Sequence, residues 1–473
     1  IVNNFHARML SSAVAAAKSS ALEYVQIVSF GCGHDAYLSD EIIRIMKEIS
    51  GKTPLILKMD ESDIRGPLSI RVRSFLSTVE MKRRKEREAL RAEAGTETTA
   101  PGEIRALSDP YPQKFRKEDI RDSVVFVPNT SHAFSRLMAA AFAGRGVQTV
   151  PLPIGRERAI ELGKKYVHND ICFPAQVVIG EALEALEKPE YAGKKKAVMM
   201  GKYIGCCRLT HYAALLRKAM DDAGYKNVPI ITNDEVDYHD LHPGFKMDLY
   251  SSIKIGFALP MIDALEDLLR KMRPYETQEG SAEGAFDRAL DILMEAVEKG
   301  GIGRMKKAFA KAVEVMKNVP YDRSDPRPTV LIVGEYLLNF HPGANHEIER
   351  YLEKNGFEII EAKMADVIQK TYFVRWAQAR EFGVKKPAGE RIYLDLVNRV
   401  FDMSHAVVSS IAKAHPLFVP AKKLSDAVRA SDPVIPHAYD SGEGILIPAE
   451  IIEHAREGCR AFVKIGRASC RER

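Results

Sequence analysis

Cys172 and Cys207 are the side chains of this sequence best placed to do chemistry. Each is expected at the mouth of a helix that follows a strand. Cys172 lies in Asn169-Asp170-Ile171-Cys172-Phe173-Pro174-Ala175, ahead of an apolar helix. Cys207 lies in Ile204-Gly205-Cys206-Cys207-Arg208-Leu209, just beyond the strand expected over Ala197–Met200. A thiolate at a helix N-terminus meets free N–H groups and the positive end of the helix dipole, which suits a metal ligand or a reactive sulfur. A third cysteine, Cys32 in Ser29-Phe30-Gly31-Cys32-Gly33-His34-Asp35, again falls between a strand and a helix. A lone cysteine is more often a small buried hydrophobe. Three in equivalent turns shift the reading toward an iron–sulfur cluster. The spacing imitates neither zinc ribbons nor ferredoxins, which use short Cys-x-x-Cys runs, so tertiary folding has to assemble the site. Zinc stays open as a weaker option, because it takes the same thiolates. Cys206 reads as a packing neighbour and Cys459 as structural.

The elements that must position these sulfurs alternate strand, turn and helix. Strands are expected over Val25–Phe30, Pro54–Met59, Val124–Val127, Val147–Pro151, Ala197–Met200, Val228–Thr232, Thr329–Gly334, Phe357–Glu361 and Ala461–Lys464. Helices are expected over Ser39–Ile49 with Ser39 as cap, from Pro67 into the mixed-charge Glu80–Arg91, over Ser131–Ala143, Pro174–Leu186 and Leu209–Ala223, and over His346–Asn355. In the helix after Cys207, Leu209, Tyr212, Leu216 and Met220 form the buried stripe. This alternation predicts an α/β fold, Rossmann-like parallel-sheet units covered on both faces. Asp248–Asn318 differs, with two or three long helices broken at Pro274–Gly280 and Gly300–Gly303, and reads as a helical insert. The expected organisation is a partial α/β unit over 1–93, a linker over 94–120, a cysteine-bearing α/β domain over 121–245, a helical bridge over 246–325 and a second α/β domain over 326–464.

Composition sets bounds. With 46% hydrophobic and 28% charged residues the chain is of ordinary globular make-up. It begins at Ile1 and reads as a fragment. Residues 465–473 follow no element logic and read as a translated sequencing adapter; without their three Arg and one Glu the formal charge falls from +5 to +3. That balance gives no case for a nucleic-acid partner. No apolar run reaches the roughly 18 residues that cross a membrane. Of the six cysteines, Cys470 falls in residues 465–473; the other five are unevenly spaced and make no disulfide framework, and the expected setting is a reducing cytoplasm.

Other motifs have plainer readings. His239 and His242 bracket Asp240, where a turn outweighs a zinc site. Gly301-Ile302-Gly303 follows a helix, so it fails the context of a dinucleotide loop. Asn129-Thr130-Ser131 is a glycosylation pattern in which Ser131 reads better as a helix cap. Gly334-Glu335, with His341, Asn345 and His346 beyond, would line a crevice rim or cap a helix.

The order of segments carries more than any one motif. Ser29-Phe30-Gly31-Cys32-Gly33-His34-Asp35-Ala36, Lys58-Met59-Asp60-Glu61, Ile70-Arg71-Val72-Arg73-Ser74-Phe75, Phe126-Val127-Pro128-Asn129, Cys172-Phe173-Pro174-Ala175, Gly205-Cys206-Cys207-Arg208 and Val333-Gly334-Glu335 follow one another, with Ser441-Gly442-Glu443 a weaker match. In this the chain resembles the tandem dehydratase-like half of the large acyl-CoA dehydratase activase-related proteins, and through them the 2-hydroxyacyl-CoA dehydratase subunits. The resemblance covers most of residues 24–464. It implies Rossmann-like domains around a [4Fe–4S] cluster on three cysteines. Cys172 matches the Cys-x-Pro cysteine and Cys207 the Gly-x-Cys-Arg cysteine, with Cys206 where Pro is usual. The third ligand is either Cys32 or a counterpart expected just past Val463-Lys464. The implied chemistry is radical dehydration. An ATP-dependent activase, as a domain or separate subunit, passes one low-potential electron to the cluster, and a ketyl radical on a 2-hydroxyacyl-CoA thioester lets the hydroxyl leave. No catalytic acid or base is identified. The alternative is a non-catalytic scaffold or electron-relay module that docks to such an activase.

Overall fold

A computed structural model describes residues 4–28, 34–58, 65–92, 113–168, 171–201, 207–232, 242–245, 248–383, 385–439 and 442–466. Every strand pairing within its three sheets is parallel. The first unit runs α1 (Asn4–Lys18), β1 (Val25–Val28), α2 (His34–Ser50), β2 (Leu55–Lys58) and α3 (Arg65–Ala92), with β1 beside β2. Ala13, Ala16 and Ala17 of α1 pack on Leu38, Ile42 and Met46 of α2. The expected cap at Ser39 is corrected here. Leu38 belongs to the same buried stripe as Ile42, Ile45 and Met46, so the helix starts before it, and Ser39 sits inside. The mixed-charge run of α3 carries the surface pair Arg84–Glu88 at 3.5 Å.

The second unit holds α4 (Asp119–Asp122), β3 (Ser123–Val127), α5 (His132–Ala143), β4 (Thr149–Pro151), α6 (Glu157–Tyr166), α7 (Phe173–Glu187), β5 (Lys195–Met199), α8 (Tyr212–Asp222) and β6 (Ile230–Ile231). Its sheet order is β4-β3-β5-β6. All five residues of β3 are buried, as a strand covered on both faces requires. Ser131 caps α5 by accepting the Phe134 N–H at 3.0 Å, and Asn129 is buried with its amide on the Leu152 carbonyl, which fits the capping reading of that motif. Phe115, fully buried against Phe142 and Phe245, already belongs to this unit, so the end of the expected linker is structured. Residues 93–112 lie outside the described residues.

The long helices are α9 (Leu249–Met272), α10 (Ser281–Lys299) and α11 (Ile302–Lys317), interrupted where the sequence predicts. They form a shared core. Their buried faces join Ala133 and Leu137 of α5 in one apolar cluster, together with residues of the third unit. That unit comprises β7 (Thr329–Gly334), α12 (Tyr336–Phe340), α13 (Ile348–Lys354), β8 (Glu358–Glu361), α14 (Met364–Glu381), α15 (Ala388–Ala412), α16 (Leu424–Ala427), α17 (Leu446–Arg456) and β9 (Ala461–Ile465), in sheet order β8-β7-β9. Phe401 and Val408 of α15 complete the shared core. β9 runs one residue further than expected, with Ile465 paired to Gly334.

Buried charge ties the core to the third sheet. Arg273, at the end of α9, holds Glu353 through both carboxylate oxygens (2.7–2.9 Å) and Glu349 at 2.8 Å. Arg270 pairs with Glu349 and Glu361. Against the upward push of burial, Arg270 and Arg273 bring Glu349 down to about 2. Among the described residues no helix is long and apolar enough to cross a membrane.

Candidate functional site

Cys172 is the N-cap of α7, as expected, but the element before it is α6, not a strand. The expectation of a strand-to-helix turn is therefore corrected to a helix-to-helix turn. α6 lies hard against α7 because both helices carry glycine where their backbones meet. A Cβ on Gly163 would strike the Gln176 carbonyl, and one on Gly180 the Ala159 carbonyl. Pro174 in the first turn of α7 leaves no N–H unsatisfied there. Cys207 precedes a 3-10 turn, Arg208–His211, that leads into α8. Neither sulfur caps the helix it precedes.

Tyr212, the first residue of α8, ties the helix behind Cys207 to Cys172. Its hydroxyl lies 2.8 Å from Cys172 Sγ, and both residues are about 5% exposed or less. The phenol is pushed well above the usual tyrosine range, first by burial, then by negative charge on Cys172, Glu335 and Cys207 and by the Cys172 hydrogen bond.

The sheet orders explain this meeting. In the second unit the chain leaves β3 to one side for β4 and returns on the other at β5. That makes a switch point between β3 and β5, beyond whose carboxyl end Cys207 lies. β7 and β9 form the equivalent point of the third unit, and Glu335 follows β7 directly. Gly334 is required there. Its φ is +141°, and a Cβ would strike the Ile465 carbonyl that accepts the Glu335 N–H. Glu335 caps α12 through the Leu338 N–H (2.9 Å), as the capping reading expects. Leu337, Leu338, Ala344 and Ile465 share one apolar cluster with Cys172, Tyr212 and Leu216. The first unit joins too. Tyr37 of α2 stacks on His211 with ring centroids 3.9 Å apart, and Asp40 pairs with Lys218 of α8 at 3.8 Å.

Cys32 lies outside the described residues, as do Cys206, His239 and Asp240. The helix that begins two residues after Cys32, α2, is the one docked on His211. Among the described residues no group of three His, Cys, Asp or Glu side chains is placed to hold a metal ion. The donor set that is described, two sulfurs at helix mouths with a hydroxyl on one of them, fits an iron–sulfur group better than a hard cation.

The remaining candidates resolve into structure. His242 is buried, accepts the Phe115 N–H at Nδ1 (3.2 Å) and opens a turn. Cys459 is buried beside β7, its sulfur on the Thr329 and Ala461 carbonyls. Asn345 bonds the Leu338 and Asn339 carbonyls. His341 is fully buried. Its Nδ1 accepts the Ala344 N–H (3.0 Å), so its proton sits on Nε2 and is donated to Glu181 Oε1 at 2.7 Å. Sequence reasoning missed Glu181 and the hydroxyl of Tyr212. A cleft of about 720 Å³ opens between α3 and the first sheet, with Lys58, Arg71, Lys82 and Ser74 on its walls and His168, four residues before Cys172, at its edge. His168 is held below the usual histidine range, mainly by burial.

Comparison with family models, with curated proteins and with solved structures found no match to this chain.

Proposed function

We propose that this chain is an iron–sulfur protein of the 2-hydroxyacyl-CoA dehydratase and activase-related type. It would support ATP-driven one-electron reduction and radical dehydration of an acyl-CoA thioester. The observation that carries the reading is the buried contact of Tyr212, the first residue of the helix behind Cys207, with Cys172 Sγ, in an apolar cluster shared with the third unit. Cys172 and Cys207 would hold a [4Fe–4S] cluster, with Cys32 as third ligand. Such a group supplies low-potential one-electron chemistry when bound. The apolar cluster around Cys172 excludes water. The cationic walls of the cleft beside His168 suit the phosphates of a CoA thioester.

Iron and acid-labile sulfide, counted on anaerobically purified protein, test this. About four of each per chain are expected. Cys172→Ala and Cys207→Ala should each lose most of the iron while keeping the helical content, and Cys32→Ala decides the third ligand. Zinc without sulfide, or iron unchanged in both variants, would sink the assignment. A reducible cluster without thioester turnover would favour the electron-relay role.

A further inference from the structure

Tyr212 does more than fill the core. Among the described residues its hydroxyl has one hydrogen-bond partner, Cys172 Sγ. A buried hydroxyl loses its water and needs a good acceptor in return. A neutral thiol is a poor one, whereas a thiolate, like any ionised acceptor, makes the stronger bond. Phenylalanine would fill the same slot beside Leu216 and Ala213 without that loss. The direction of the bond also follows. If the sulfur were the donor, the hydroxyl hydrogen would point into a buried apolar cluster with no acceptor among the described residues. The Tyr212 hydroxyl therefore stays a donor.

We propose that Tyr212 is a positioning residue that donates its hydroxyl hydrogen to the Cys172 sulfur and thereby raises the reduction potential of the group this sulfur holds. This rests on the iron–sulfur reading above. A donor on a ligand sulfur stabilises added negative charge, and it does so more in the reduced form than in the oxidised form. No bond breaks and no proton leaves the tyrosine.

The test compares anaerobic wild-type protein with Tyr212→Phe, by iron and sulfide count and by a potentiometric titration followed with electron paramagnetic resonance. Equal iron is expected in both. At a fixed applied potential the ratio of reduced to oxidised protein should be about tenfold lower in the variant, or about 59 mV more negative for one electron. Reduced wild type should also show hyperfine coupling to an exchangeable proton near the metal, lost after reconstitution in D₂O and missing from the variant. Equal potentials with the same coupling in both proteins would overturn the role of Tyr212. Should the variant fail to fold, absence of the exchangeable coupling in wild type would overturn it alone. Wild type without iron removes instead the reading on which it rests, and the count separates the two failures.

Discussion

Adding one methyl group at Gly180 is expected to destabilise the fold by about 3 kcal/mol and to lower its iron content. Gly→Ala inside a helix ordinarily gains up to about 1 kcal/mol, because alanine is the better helix former. Here sterics win. The new Cβ would meet the backbone carbonyl of Ala159 on α6, and backbone cannot swing aside as a side chain can. Separating α6 from α7 also moves the N-cap of α7, which is Cys172, relative to the Tyr212 hydroxyl. Gly163→Ala strains the same approach from the other helix, against Gln176. The double variant should therefore cost less than the sum of the two, since one separation relieves both clashes. Gly303→Ala in α11 is the control. Nothing lies within 4 Å of its Cβ, and a neutral or slightly stabilising change is expected. Urea unfolding of the three single variants decides the matter. A Gly180→Ala protein as stable as the Gly303→Ala protein would refute the packing argument.

The parts of the fold that could be read from sequence are those with continuous apolar runs and clear punctuation. β7 matches its expected span, β3 differs by one residue, Ser131 caps α5, and Gly224 and Gly356 stand in the left-handed conformation where helices were expected to stop. The missed helices are weak in apolar signal. α6 buries only Ala159, Leu162 and Gly163, and α1 packs through alanines. Small residues pack closely but score little in a periodicity count. For the site, the cysteines were legible because cap positions are local. Tyr212 was legible as core and illegible as a donor, because its partner arrives from forty residues away. Glu181 did leave a signal. α7 is apolar almost all round, and such a helix is buried on every face, so a carboxylate at its centre had to find a partner. No rule of spacing could name His341, 160 residues on.

That partner makes the second large effect. Glu181 Oε1 receives the His341 Nε2–H at 2.7 Å and the Gly155 N–H at 2.5 Å, with both side chains buried. The pair joins the second unit to the third behind α7, the helix that Cys172 precedes. His341→Ala is expected to cost about 3–5 kcal/mol, because it strands a buried carboxylate with one N–H donor. Glu181→Ala should cost less, about 1–3 kcal/mol. It leaves the Nε2–H and the Gly155 N–H unsatisfied, but both are neutral. Replacing both at once, Glu181→Met with His341→Leu, should cost less than His341→Ala alone, since no orphaned charge remains. Thermal or urea unfolding of the three variants gives the order. If His341→Ala proves the mildest of the three, the pair is not what holds the two units together. The expected order would instead identify the contact as a polar anchor that fixes how the third unit sits against the helix behind Cys172. In that case the double variant, though stable, should still lose iron, because apolar packing can replace the energy of the pair without reproducing its direction.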